Sequence, residues 1–172
     1  MNRALLVNLI AAITLLVACG PRPTPASTIP PPPPRPVATD TPVPANDEEA
    51  ILQLLYAQGE GVVQQDIDRL MDIWDEEGVI ADANHTPDDP NDDSVWTGHD
   101  AIRERYINLV FPSAPAEAAA TDIQLTIEED TASAISTTNI GDEVQPGGDR
   151  WTLAKKGGRW KITSLTYNLE PQ

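Results

Sequence analysis

The chain has 172 residues, with 27 Asp and Glu against 11 Lys and Arg, a formal net charge of −16. Such an acidic chain repels nucleic acid and an anionic membrane surface alike, which excludes both as direct electrostatic partners. A single cysteine excludes an internal disulfide.

The chain begins MNRALLVNLIAAITLLVACG, a short basic start followed by an apolar run from Ala4 to Ala18. Fifteen residues are fewer than the roughly 20 that span a bilayer, and the pattern is that of a secretory signal over residues 1–18. Leu16-Val17-Ala18-Cys19 resembles the lipobox of bacterial lipoproteins. That resemblance implies cleavage before Cys19, lipidation of its sulfur, and anchoring on the extracytoplasmic face of a bacterial membrane. Residues 19–45 form the next section, and eleven of the 26 residues from Gly20 to Ala45 are proline. Proline lacks the amide donor and fixes φ, so this stretch reads as a disordered polyproline spacer with a reach on the order of 80 Å.

Residues 46–172 carry 26 acidic and 8 basic side chains and have the length of one domain. Asn46 with Glu49 has capping-box spacing, and Ile51, Leu52, Leu55, Tyr56, Val62 and Val63 recur at helical period, interrupted by Gly59 and Gly61. A second helix starts at Asp66, carries Ile67, Leu70, Met71 and Trp74 on one face, and stops at Gly78. Val79-Ile80-Ala81 reads as a short strand and Val95-Trp96 as another. Thr97 to Asp100 has cap spacing for a third helix containing Ile102, Tyr106, Leu109 and Val110. The remainder is β in character: Ile123, Leu125 and Ile127 alternate with polar residues, TASAISTTNI is rich in β-branched residues, and two long strands meet at Lys156-Gly157-Gly158. Helices followed by antiparallel strands predict an α+β domain with helices on one sheet face.

Three segments carry a more specific likeness: QQDIDRLMDIWDEEGVIAD (64–82), GHDAIRERY (98–106) and GGRWKITSLTYN (157–168). Their order and spacing resemble the SnoaL-like branch of the nuclear transport factor 2-like superfamily. The resemblance implies a cone, in which a curved antiparallel sheet is wrapped by about three helices around an apolar pocket, with dimerisation across the sheet frequent. In the ketosteroid-isomerase branch a general-base aspartate ends the first strand, and Asp82 falls there. A carboxylate at an apolar pocket mouth has its charged form disfavoured, which suits it to proton transfer. The same branch uses a first-helix tyrosine, matched by Tyr56, and a neutral acid on a later strand. The latter position falls near Arg150 or Trp151, where no acid stands. His85 and His99 are the histidines available to pair with Asp82 or Asp100. All four tryptophans, Trp74, Trp96, Trp151 and Trp160, are expected in the core of the cone, and Trp74, Trp96 and Trp151 with His99 and Tyr106 are the expected pocket residues.

The segment 82–100 holds six aspartates. Asp89, Asn91 and Asp93 fit the first three ligand positions of a Ca²⁺ loop, but Ser94 replaces the glycine needed for its sharp turn, and Asp100 replaces the bidentate glutamate. The loop reads more economically as a turn at Thr86–Asp89 followed by solvated residues, so neither a metal nor another cofactor is expected. The sequence thus predicts a membrane-anchored domain that binds a small apolar ligand or a protein partner. A lyase or isomerase with Asp82 as base, aided by Tyr56 or His85, is the first alternative. A structural or dimerisation module is the second.

Overall fold

The computed structural model describes residues 43–140 and 143–169, with the side chains of 138–140 and 143–147 left aside. The signal segment, Cys19 and nearly all of the proline-rich stretch lie outside the described residues. Helix α1 spans Asp47–Gln64, α2 Ile67–Ile73 and α3 Gly98–Arg105; α3 runs on into a π turn at Tyr106–Val110 and a 3-10 turn at Phe111–Ser113. The strands are β1 (Trp74–Asp82), β2 (Ser94–Thr97), β3 (Ala118–Glu128), β4 (Thr131–Ile140), β5 (Glu143–Lys156) and β6 (Arg159–Tyr167). They form one curved six-stranded sheet in the order β2-β1-β6-β5-β4-β3. The fold is α+β as expected, but the sheet is mixed: β1 and β6 run parallel, and every other pair is antiparallel.

The first helix starts where the sequence places it. Asn46 Oδ1 accepts from Glu49 N–H at 2.9 Å, satisfying one of the first-turn donors. The helix then continues through both of its glycines, which are not interruptions. A Cβ on Gly59 would lie 1.8 Å from the Ala118 carbonyl oxygen, so hydrogen at this position lets α1 rest directly on β3. Gln65 in left-handed conformation ends the helix, and the Asp66 carboxylate caps α2 by accepting from Arg69 N–H at 3.1 Å. A second correction concerns Trp74, which opens β1 and does not belong to α2. Gly78 accordingly sits inside a strand, at the register shift between Trp74 and Val79 that admits one irregular turn of backbone. Thr97 precedes α3, yet its side chain makes no cap hydrogen bond.

Alternation along the long strands builds the core. Trp151, Leu153, Ile162 and Leu165 turn inward and meet Ile51, Leu55 and Val62 of α1 and Ile102 of α3. The start of α1 is tied to the β5–β6 hairpin through Asp47, which accepts from Lys155 Nζ at 2.7 Å and Trp160 Nε1 at 2.9 Å. One residue on, at the same end of β5, Lys156 Nζ reaches the buried Asp75 carboxylate at 2.7 Å and holds it below the ordinary carboxylate range.

Candidate functional site

A cavity of about 210 Å³ lies between the helices and the inner face of the sheet. Its apolar wall comes from Val62 of α1, Val110, Ala118–Ala120 of β3, Trp151 of β5 and Leu165 of β6. Gln58, His85, Arg105, Tyr106, Asp149, Tyr167 and Asn168 supply its polar atoms. Strand periodicity explains the most unusual of these. Asp149, Trp151 and Leu153 share one face of β5, so the alternation that buries two apolar side chains also carries a carboxylate inward, where it is only 3% exposed. Burial pushes Asp149 up to about 7, against the opposing pull of the Arg105 charge.

Arg105 enters the cavity from the end of α3, three residues after the buried Ile102 and therefore on the same helix face. Its guanidinium carbon stands 4.9 Å from the Tyr167 ring centre, 5.0 Å from that of Trp96 and 5.8 Å from that of Tyr106. Its Nε is buried and takes no hydrogen bond within the protein. Tyr106 beside it is 1% exposed, and its hydroxyl accepts from Trp74 Nε1 at 3.1 Å and Gln58 Nε2 at 3.3 Å. Burial raises the Tyr106 hydroxyl above its ordinary range. Trp151 Nε1 donates to Ser136 Oγ at 2.9 Å, which fixes the indole against the wall.

His85 reaches the cavity through a sharp turn just after β1. Asn84 and His85 both take positive φ, 50° and 61°, and His85 N–H donates to the Asn168 carbonyl at 2.8 Å. Two consecutive left-handed non-glycine residues are costly and hold this side chain at the cavity.

The residues singled out in the sequence divide. Tyr106, Trp151 and His85 line the cavity. Asp82 does not: its Oδ1 accepts from Asn84 N–H at 2.9 Å and Asn168 Nδ2 at 2.7 Å, so it braces the cavity residue Asn168 from behind. Its charge also helps to raise the Tyr167 hydroxyl, where burial has the largest effect. Tyr56 is 52% exposed and is not brought to Asp82 or to the cavity wall, because it lies on a face of α1 away from the buried Leu55 and Val62. Trp74 stands behind Tyr106 and Trp96 behind Arg105, both as supports of cavity residues. His99 lies in a separate cleft with Asp75 and Lys156, its Nε2 3.1 Å from the Trp74 carbonyl oxygen. The acid that β5 carries into the cavity is Asp149, one residue before Arg150. Arg105 was discoverable from period, three residues after an inward isoleucine.

The acidic loop holds itself by its own hydrogen bonds. Thr86 Oγ1 donates to the Asp92 carboxylate at 2.8 Å, Asp89 N–H to the Thr86 carbonyl at 2.9 Å, and Asn91 Nδ2 to Asp89 Oδ1 at 2.7 Å. Among the described residues no group of three His, Cys, Asp or Glu side chains is placed to hold a metal ion, and Asp89, Asn91 and Asp93 form no such group.

No family model matches the sequence, and no curated protein matches it. The fold is nevertheless shared with solved structures. A nuclear transport factor 2-like protein with a cystatin-like fold from Novosphingobium aromaticivorans superposes with a TM-score of 0.56 at 19% identity, covering 70% of this chain and 79% of that one. A hexachlorocyclohexane dehydrochlorinase from Novosphingobium barchaimii gives 0.52 at 18% identity over 69% and 83%. A putative dehydratase of the same fold family from Streptomyces avermitilis gives 0.51 at 19% over 72% and 96%. At these identities the likeness establishes the nuclear transport factor 2-like fold.

Proposed function

We propose that this protein is a lipid-anchored, extracytoplasmic binding module whose cone holds a small, largely apolar molecule. The observation that carries the reading is the cavity itself, with an aliphatic and tryptophan wall and polar side chains that include one cation, Arg105, and one acid, Asp149. Concave sites of this composition are the usual form of small-molecule sites. At about 210 Å³ it lies below the roughly 300 Å³ at which drug-sized sites begin, which points to a compact ligand. The Cys19 lipid and the proline-rich spacer would hold the acidic domain away from the membrane surface. Untargeted mass spectrometry of small molecules that co-purify with the full chain tests the binding role. A bound species lost on Ala119→Phe, which narrows the wall, is the expected result; an empty protein, or a ligand indifferent to that change, removes it. Membrane retention of the Cys19→Ser chain would refute the anchor.

A second reading is favoured by one observation, the buried Asp149 carboxyl pushed up to about 7. A group half-protonated near neutral pH can give or take a proton, so a lyase or isomerase reaction would centre on Asp149 and not on Asp82. Two of the proteins sharing the fold are described as a dehydrochlorinase and a putative dehydratase, which makes elimination the first chemistry to assay. Turnover that survives Asp149→Asn would sink this alternative.

A further inference from the structure

Resting on the binding reading above, we propose that the cavity selects small monocarboxylates: the Arg105 guanidinium takes the ligand's carboxylate, and the apolar wall takes the rest of the molecule. Three features of the cavity converge on this chemistry. The first is how Arg105 is held. Three aromatic ring faces surround its guanidinium at 4.9 to 5.8 Å, and its Nε, though buried, has no acceptor in the protein. Ring faces stabilise the cation but accept little of its hydrogen bonding; beyond its contact with the Tyr167 hydroxyl, the edge that carries the buried Nε is left to a carboxylate, whose shape matches the planar fork.

The second feature is the charge count. Arg105 is the only Lys or Arg among the described lining residues, and Asp149 is the only Asp or Glu. One guanidinium balances one negative charge; a phosphate dianion would remain uncompensated in a chain already at −16. The third is shape. Val62, Val110, three alanines and Leu165 line the cavity with no donor or acceptor side chain, so the body of the ligand is hydrocarbon.

Asp149 makes this recognition depend on pH. While it keeps its proton it is neutral beside the ligand; once ionised it repels the ligand's carboxylate and competes with it for Arg105. The titratable and charged groups facing the same cavity are Arg105 of α3, His85 of the β1–β2 loop, Tyr106 of the π turn and Tyr167 of β6, with Asp82 of β1 acting on Tyr167. The anionic ligand itself strengthens Asp149's hold on its proton, so above neutrality binding takes up a proton from solution.

Isothermal titration of the full chain with benzoate and hexanoate against benzamide and hexanamide tests the inference. The acids are expected to bind at least about tenfold tighter than the matched amides at pH 6, with affinity falling about tenfold per pH unit above 7 and proton uptake visible from the buffer dependence of the heat. Arg105→Gln should erase the preference for acids while leaving amide binding; Arg105→Lys, which keeps the charge but loses the fork, should retain part of it. Asp149→Asn should keep the preference and lose the pH dependence. Equal binding of acids and amides, or an acid preference that survives Arg105→Gln, overturns the carboxylate inference and leaves the binding reading standing. If no acid or amide binds even at millimolar concentration, both fail.

Discussion

Asp149 places a proton inside the fold that the unfolded chain would not keep. Burial holds it up to about pH 7, whereas the unfolded carboxyl releases it near 3.8. Its contribution to stability is therefore present in full below about 3.8 and is lost as the pH rises to about 7. Asp75 has the opposite sign, since Lys156 holds it below 3.8 and its contribution is lost only as the pH falls through that lowered range. Denaturation of the parent chain and Asp149→Asn across pH 4 to 7.5 should show the variant gaining relative stability with rising pH, by on the order of a few kcal/mol over the window. A constant difference between the two would mean that Asp149 is ionised in the native protein. The same residue marks the limit of the sequence reading. Tyr106 and Trp151 were legible as pocket residues through the resemblance and their aromatic character, and His85 only as a catalytic partner for an aspartate. Asp149 was not, because an acidic residue in an acidic chain carries no signal until the inward phase of β5 is set by Trp151 and Leu153.

The elements were legible in order and kind, and failed where glycine was read as a stop. Gly59 and Gly61 lower helix propensity, so the sequence alone suggests a break; close packing on β3 overrides that preference, and the helix runs to Gln64. Gly59→Ala consequently tests tertiary contact against local propensity. Alanine favours the helix by about 1 kcal/mol. Its methyl group would meet the Ala118 carbonyl, which must move together with β3. The expected outcome in chemical denaturation is a net loss of about 1–3 kcal/mol, with Ala118–Ala120 displaced at the cavity wall. A gain in stability would show that α1 can lift off the sheet without cost. Trp74 failed for a related reason: it continues the apolar face of α2 at helical spacing, but pairing with Ile162 of β6 draws it into the sheet.

At the scale of the molecule, the excess of acid over base is the dominant long-range term. Residues 46–172 carry a formal charge of −18, and folding brings those charges together. Raising sodium chloride from about 10 to about 150 mM shortens the screening length from about 30 to about 8 Å and should raise the melting midpoint. A falling midpoint would instead show that the ion pairs of Asp47 with Lys155 and Asp75 with Lys156 outweigh the repulsion. Composition made this expectation readable at once, and the resemblance of three segments made the fold readable too. The parallel pairing of β1 with β6 was hidden, because the two strands are separated by most of the domain and no local pattern records their partnership.

That pairing sets when the domain can come into being. The strand that leaves synthesis last, Arg159–Tyr167, lies between β1 and β5 and joins the hairpin of β1 and β2 to the meander of β3, β4 and β5. Until it arrives the two halves share no ladder of hydrogen bonds, and the inward residues Ile162 and Leu165 are missing from the core. Such long-range closure is slow compared with local folding. A domain with this wiring cannot close its sheet without Arg159–Tyr167, so a truncation before Arg159 should leave two partial sheets with no shared ladder.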